Sequence, residues 1–281
     1  MSLAWLGVTP FLLYAFLFLL LPAGVVTVGA FKDTHGGFTF DNIRFLFHQP
    51  YIRDFRNSIE VSIVTALIGG VLGLLIAYAA IREGTPRWIR STLTTFSGVA
   101  ANFAGIPLAF AFIATLGTIG VATTFMADTL GIDIYSRGID FNLFTKTGVE
   151  IVYLYFQIPL MILVIAPAID GLKREWREAA SSLGATSFQF WRHVGGPILA
   201  PSLLSAVVLL FGNSFSAFAT AYGLTAGGVG LVPIDIGNFF SGDVLSNPHL
   251  AQALAFGMFV VLAITMVIYV PLQRISSRWT R

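Results

Sequence analysis

Catalysis would require nucleophiles, acid–base pairs or metal ligands, and this sequence places few such residues at the spacings that known catalytic motifs use. Its 281 residues include no cysteine, which excludes a thiolate nucleophile and a Cys-based metal site. Neither the metalloprotease pattern H-E-x-x-H nor the serine-hydrolase pattern G-x-S-x-G occurs. All four histidines fall in stretches that we predict to be loops: His35, His48, His193 and His249. An intramembrane enzyme is therefore a weak hypothesis.

Uncharged polar residues inside long apolar stretches are stronger candidates for function. They occur at Asn102, Gln157, Asn213, Ser214 and Ser216, the last three among aromatic residues in the run FGNSFSAF. Such groups either line a pathway for a polar molecule or hydrogen-bond one helix to its neighbour. Both interpretations stay open, and we treat the five residues as pathway candidates.

The elements that carry these residues are predicted from composition. Hydrophobic residues make up 56% of the chain and charged residues 11%, whereas soluble domains carry about a quarter charged residues. A membrane-spanning helix needs roughly 20 apolar residues. We therefore predict an all-α polytopic membrane protein, a single transmembrane domain over residues 1–281 with six spans. The predicted spans are 6–31, 57–81, 92–117, 149–170, 198–222 and 250–272.

The Lys and Arg residues are unevenly distributed between the two sides of the membrane. With the N-terminus inside, ten of the sixteen fall on cytoplasmic segments and six on external ones, as the positive-inside rule requires. The inner set is Arg82, Arg87, Arg90, Lys173, Arg174, Arg177, Arg192, Arg274, Arg278 and Arg281; the outer set is Lys32, Arg44, Arg53, Arg56, Arg137 and Lys146. We predict that both termini are cytoplasmic.

Residues 171–197, here called the elbow, connect the fourth and fifth spans. Apolar and small residues form one helical stripe in the first arm, at Leu172, Trp176, Ala179, Ala180 and Leu183. Gly184 is a natural helix stop, and Thr186 with Gln189 has the spacing of a capping box for a second short helix. We expect Gly195, Gly196 and Pro197 to end that second helix. Such an elbow either lies on the headgroups or docks on a cytoplasmic partner.

The elbow resembles the coupling loop of permease subunits of binding-protein-dependent ABC importers. In that family Glu-Ala-Ala is followed after three residues by Gly, and after nine more by Ile-x-Leu-Pro. Glu178, Ala179, Ala180, Gly184 and Pro197 match this pattern, whereas Val194 stands at the Ile position and Gly196 at the Leu position. Two stretches, GGFTFDNIRFLF and YLYFQIPLMILVIAPAIDGL, further resemble the subfamily that includes polyamine, iron, thiamine and organophosphonate permeases.

The resemblance implies a multi-pass subunit of the bacterial inner membrane that works with other chains. Glu178, Ala179, Ala180, Gly184 and Pro197 would couple it to a dimer of ABC ATPases, which would bind the ATP and magnesium. The sequence has no G-x-x-x-x-G-K-[ST] phosphate loop, and we expect no cofactor in this chain. A second permease subunit, identical or related, an external substrate-binding protein and the lipid bilayer are the other implied partners. Nucleic acid is not among them.

An autonomous secondary transporter is the main alternative. Transporters of that class often combine inverted repeats with ionisable coupling residues inside the spans. Neither feature is evident in the sequence. We therefore favour the importer.

Overall fold

The computed structural model describes residues 4–81, 85–136, 141–241 and 248–279, and these ranges contain helices and no β-strand. Three cationic residues used to predict the topology, Arg82, Arg137 and Arg281, lie outside them. The helices are α1 (Ala4–Ala15), a π-helix (Phe16–Leu20), α2 (Leu21–Ala30), α3 (Asp41–Phe45), α4 (Tyr51–Ile81), α5 (Arg87–Asn102), α6 (Ile106–Leu116), α7 (Val121–Leu130), α8 (Lys146–Asp170), α9 (Arg174–Ser182), α10 (Ser187–Phe190), a second π-helix (Trp191–Gly195), α11 (Gly196–Phe215), α12 (Ala219–Thr225), α13 (Val232–Ser241) and α14 (Pro248–Trp279).

Six helices or helical runs in the described residues are long and apolar enough to cross a membrane, which confirms the predicted class and number of spans. The first, fourth and sixth agree closely with the predicted positions, the second begins at Tyr51 rather than at 57, and the third and fifth differ in ways taken up below. The six are Val8–Ala30, Tyr51–Ile81, Ile106–Leu130, Lys146–Asp170, Ser187–Phe215 and His249–Pro271.

The third span lies further along the chain than the predicted 92–117. Helix α5 ends at Asn102, and the chain turns at Gly105, whose φ of +78° lies in the region that favours glycine. The Gly105 N–H donates to the Thr220 hydroxyl at 2.7 Å, and Pro107 then sits in the first turn of α6, where proline needs no N–H partner. The apolar run from Ile106 to Leu130 is therefore the spanning candidate, and α5 is a separate helix that packs on α8.

The fifth span also differs from the predicted 198–222. It begins at Ser187, inside the elbow, and its last helix ends at Phe215. A short separate helix, α12, follows from Ala219. The prediction placed the start too late because it took the Gly-Gly-Pro sequence as a helix end.

The chain forms two compact units: residues up to Arg56 with Gly230–Leu262, and Asn57–Val229 with the residues from Ala263 onward. In the first unit the Phe31 ring contacts the Phe256 ring at a centroid distance of 5.2 Å and the Phe40 ring at 5.7 Å. The buried Asn42 amide donates to the Lys32 carbonyl at 2.7 Å. Aromatic packing and one buried amide thus hold the segment after α2 in place.

The first unit also contains two neighbouring carboxyl groups, Asp54 in α4 and Asp235 in α13. Asp54 is only 2% exposed, and its Oδ1 lies 3.6 Å from the Arg53 Nε. Burial, and next the negative charge of Asp54, raise the pKa of Asp235 to about 7. Asp235 therefore carries a proton over part of the neutral pH range.

In the second unit, α4, α8 and α11 pack around a core of aliphatic side chains. Two glycines of α4 allow close contact with α8: a Cβ at Gly73 would lie 2.5 Å from the Met161 Cβ, and one at Gly69 would lie 2.9 Å from the Gln157 Cβ. Steps of small residues permit such approach of membrane helices. The core consists of Ala66, Ala77, Met161, Ile162, Ile165, Ile169, Leu199, Ala206 and Leu210.

Candidate functional site

The first arm of the elbow is helix α9, and it ends in a bend that requires glycine. The Gly184 N–H donates to the Ser181 carbonyl at 2.9 Å, and the Ala185 N–H donates to the Ala180 carbonyl at 3.0 Å. These two bonds form a Schellman motif around Gly184, whose φ is +76°. The predicted helix stop at Gly184 is confirmed.

The second arm begins with the predicted capping box. The Thr186 hydroxyl accepts from the Gln189 N–H at 3.3 Å, and the Gln189 side-chain oxygen accepts from the Thr186 N–H at 2.7 Å. These bonds satisfy backbone N–H groups that have no partner at the start of a helix. Bend and cap together set the direction in which the chain returns towards the fifth span.

The prediction that Gly195, Gly196 and Pro197 end the second helix is wrong. The chain continues through a π-helix, Trp191–Gly195, directly into α11. Pro197 therefore lies inside a continuous helix, directly after the π-helix, where the missing proline N–H interrupts the helical hydrogen bonds without ending the helix. The glycines serve packing instead: a Cβ at Gly195 would lie 2.8 Å from the Trp191 ring, and one at Gly196 would lie 2.5 Å from the Trp191 carbonyl oxygen.

The five residues of the resemblance motif are accessible at the surface of this chain. Ala179, Gly184 and Pro197 are exposed, and Ala180 is half-buried. The Glu178 side chain is 61% exposed and accepts a hydrogen bond at 2.7 Å from the Arg174 Nε one turn earlier. The Glu178 carboxylate thus lies at the surface, paired with Arg174.

Two large apolar side chains at the elbow are also exposed: Leu183 by 88% and Phe188 by 72%. They lie on either side of the Gly184 bend. The helical periodicity of the first arm places Leu183 on an apolar stripe, and it gives no indication of Phe188 as a contact residue. Bulky apolar residues flanking a predicted glycine bend are the signal that could have identified both.

Two pathway candidates are buried between helices. Gln157 of α8 is fully buried; its amide donates to the Leu210 carbonyl of α11 at 2.8 Å. Ser214 is 3% exposed, and its hydroxyl lies 2.9 Å from the Thr65 hydroxyl of α4. This geometry is that of helix–helix hydrogen bonding, one of the two interpretations that the sequence left open.

The other three pathway candidates are exposed in this chain. Asn213 donates to the Gln157 side-chain oxygen at 3.3 Å. Asn102 and Ser216 bond to carbonyls of their own helical segments, those of Gly98 and Gly212. Asn213 and Ser216 lie together at the end of α11, whereas Asn102 lies at the end of α5. These three remain predicted pathway residues.

Comparison with known proteins places this arrangement in a family. The model of the "binding-protein-dependent transport system inner membrane component" family matches residues 69–281, which include the whole elbow. The chain belongs to this family.

Curated relatives in the family of binding-protein-dependent permeases are distant. The chain is 26% identical over 164 residues to a probable sulfate transport system permease protein of Nephroselmis olivacea, a match that covers 58% of this chain and 54% of the relative. It is 27% identical over 235 residues to the trehalose transport system permease protein SugB of Mycobacterium tuberculosis, covering 83% and 76%. The chain thus spans about half the length of the first relative and three quarters of the second.

Solved structures of such permeases share the fold. A chain of a bacterial ABC transporter involved in the import of the acidic polysaccharide alginate superposes with a TM-score of 0.72 at 19% identity, covering 99% of this chain and 96% of that one. A chain of the inward-facing MetNI methionine ABC transporter gives a TM-score of 0.51 at 15% identity, covering 83% and 100%. At these identities the likeness concerns the fold alone.

Proposed function

We propose that this chain is a permease subunit of an ATP-driven importer, forming half of a pathway for a small polar solute. The observation that carries the proposal is the elbow. Its glycine bend and capping box present the exposed side chains of Glu178, Leu183 and Phe188 on one connection, a surface suited to a partner protein. It stands within the region that matches the permease family.

The proposed partner at the elbow is an ABC ATPase, of which two copies would bind ATP and magnesium. Leu183 and Phe188 would enter an apolar groove of the ATPase, and Glu178 would provide a polar contact. Closure of the ATPases would push the elbow, and the continuous helix from Trp191 into α11 would transmit that push to the fifth span. A second permease subunit and an external binding protein complete the proposed assembly.

The substrate is proposed only as a class. The predicted likeness to polyamine, iron, thiamine and organophosphonate permeases stands beside curated relatives whose names specify sulfate and trehalose. The acidic residues of the described spans lie towards the span ends, for example Glu60 and Glu150, where Lys146 Nζ lies 2.6 Å from Glu60. Tight binding of a polycation by this chain is disfavoured, because no carboxylate sits at mid-span among the described residues.

Affinity purification of the tagged chain from its host membranes tests the assembly. We expect ATPase subunits to co-purify and substrate uptake in proteoliposomes to require ATP. Uptake by this chain alone, driven by an ion gradient, would instead establish the alternative of a secondary transporter.

Substitutions at the elbow test the coupling role. Glu178→Arg reverses the charge of the proposed contact, and Gly184→Ala puts a side chain at positive φ, a strain of about 1 kcal/mol. We expect each variant to lower uptake at least tenfold while the purified assembly retains ATP hydrolysis.

Matched controls exist for both substitutions. Glu175 is exposed on the same helix, and Gly131 has a φ of +66° at the end of α7, where an added Cβ would meet no atom within 4 Å. Glu175→Arg and Gly131→Ala should leave uptake within twofold of the unmodified protein. Equal losses in test and control variants would refute the coupling assignment.

A further inference from the structure

A basic cavity lies between the elbow and the ends of the spans. It has a volume of about 170 Å³, and Lys173, Arg174 and Arg177 contribute its cationic side chains. Tyr78 of α4 and Trp191 of the second π-helix form part of its wall. Their rings pack edge to face at a centroid distance of 5.2 Å.

Two of the cations in this cavity are not neutralised by any carboxylate of the described residues. Arg174 is paired with Glu178, and the cavity's Asp170 is paired with Arg90. Across the described ranges, Lys173 and Arg177 have no carboxylate oxygen within 4 Å. They lie instead against aromatic rings, Lys173 at 5.8 Å from the Trp176 ring and Arg177 at 5.9 Å from the Phe190 ring. The cavity therefore favours an anion.

An apolar groove adjoins the basic cavity. It has a volume of about 390 Å³ and shares Tyr78, Ile169 and Trp191 with the cavity. The rest of its lining is aliphatic: Leu74, Leu75, Leu199, Ala200 and Leu203, with Gly196. One ligand could thus place an anionic group in the cavity and a hydrocarbon chain in the groove.

The position of the two features identifies the ligand class. The fourth candidate span ends at Asp170, the second ends at Ile81, and both residues line the basic cavity. The cavity is therefore at the depth of the headgroups, and the groove extends along the spans into the hydrocarbon. Aromatic and basic side chains are typical of this depth.

We propose that the elbow cavity and the adjoining groove bind one anionic phospholipid. Its phosphate contacts Lys173 and Arg177, and an acyl chain lies along Leu199, Ala200 and Leu203. A zwitterionic lipid fits less well because its ammonium group would face the same cations. The bound lipid would join the elbow to the second, fourth and fifth spans, and this proposal requires no particular transported substrate.

Native mass spectrometry of the purified full chain tests the proposal with dioleoyl phosphatidylglycerol and dioleoyl phosphatidylcholine as probes. We expect one phosphatidylglycerol to bind more tightly than phosphatidylcholine. Each basic residue at a membrane surface contributes roughly fivefold, so Lys173→Gln/Arg177→Gln should weaken phosphatidylglycerol binding roughly 25-fold. Equal binding of the two lipids, or unchanged binding by this variant, would overturn the proposal.

Control variants separate this site from general charge and hydrophobicity. Arg87→Gln/Arg192→Gln removes two exposed cations outside the cavity, and should leave binding unchanged. Ala200→Trp should fill the groove and weaken binding severalfold, whereas Ala79→Trp, exposed and outside the groove, should not. Circular dichroism checks that every variant is folded. If the two double-Gln variants bind phosphatidylglycerol equally well, or if the two Trp variants do, the proposed site is wrong.

Competition distinguishes the lipid from other ligands. Inorganic phosphate at about 10 mM should not displace bound phosphatidylglycerol, because it cannot occupy the apolar groove. Displacement by phosphate would indicate a small-anion site instead. Loss of the lipid when co-purifying ATPase subunits assemble on the chain would assign the surface to the ATPase and overturn the proposal.

Discussion

At the residue scale, the local environment decides what a polar side chain does in this protein. Gln157 and Asn213 were both pathway candidates in the sequence, yet Gln157 is fully buried with a helix carbonyl as its partner and Asn213 is exposed. Asp235 shows the same dependence more strongly. Burial beside Asp54 raises its pKa to about 7, and nothing in the run VPIDIGNFF indicates this.

The raised pKa of Asp235 predicts a pH-dependent stability. The folded state holds this proton up to about pH 7, whereas the unfolded chain releases it near pH 4, so the unmodified protein loses stability as pH rises between these values. Asp235→Asn removes that loss. Its melting temperature should exceed that of the unmodified protein by a few degrees more at pH 8 than at pH 4.

Asp128 provides the control for this measurement. It is an exposed carboxylate at the end of α7, and Asp128→Asn controls for the general effect of removing one carboxylate on the melting temperature at each pH. Circular dichroism of the protein in detergent, recorded as temperature rises, measures these melting temperatures. Parallel pH curves for Asp235→Asn and the unmodified protein would show that Asp235 ionises normally.

At the scale of elements, glycine in α4 determines how closely two spans approach. A Cβ added at Gly73 would lie 2.5 Å from the Met161 Cβ and 2.8 Å from the Ile158 carbonyl oxygen of α8. Dispersion contacts and hydrogen bonds, rather than a hydrophobic driving force, hold helices together in lipid. The α4–α8 contact is therefore sensitive to a single added methyl group.

Gly73→Ala should destabilise the fold by about 1–3 kcal/mol through overpacking. Gly98→Ala is the matched control, because Gly98 is also helical but a Cβ there meets no atom within 4 Å. That control should be neutral or stabilising by up to about 1 kcal/mol. Unfolding in denaturing detergent measures both. Equal stability of the two variants would contradict the close α4–α8 contact.

At the scale of the whole molecule, the side of the membrane that each loop faces remains a prediction from the distribution of Lys and Arg. The proposed ATPase can reach the elbow only if the elbow is cytoplasmic. The absence of native cysteine makes the orientation simple to measure, since any introduced cysteine is the sole thiol.

Cysteine at two exposed positions reports the orientation. In intact spheroplasts, a membrane-impermeant maleimide should label His35→Cys, in the segment after α2, and should label Ser181→Cys only after the membrane is opened. We expect this labelling pattern because the positive-inside rule places the elbow in the cytoplasm and the segment after α2 outside. The reverse labelling pattern would place the termini outside and exclude an ATPase at the elbow.

Sequence alone determined the features that depend on local chemistry. Six apolar stretches predicted six spans because hydrocarbon excludes unpaired backbone groups, whatever the neighbouring helices are. Gly184 predicted a bend, and Thr186 with Gln189 predicted a cap, because these motifs close within a few residues of the chain.

Only the tertiary structure decided the features that depend on distant neighbours. The local sequence predicted a helix end at Gly195 and Gly196. In the structure these glycines make room for Trp191, which packs on Tyr78 of a different span. Gln157 joins α8 to α11 because its amide lies within hydrogen-bonding distance of the Leu210 carbonyl. The proposed lipid site exists only because the fold places Lys173 and Arg177 beside an apolar groove. Contacts between residues far apart in the chain leave no periodicity in the sequence, and folding alone brings them together.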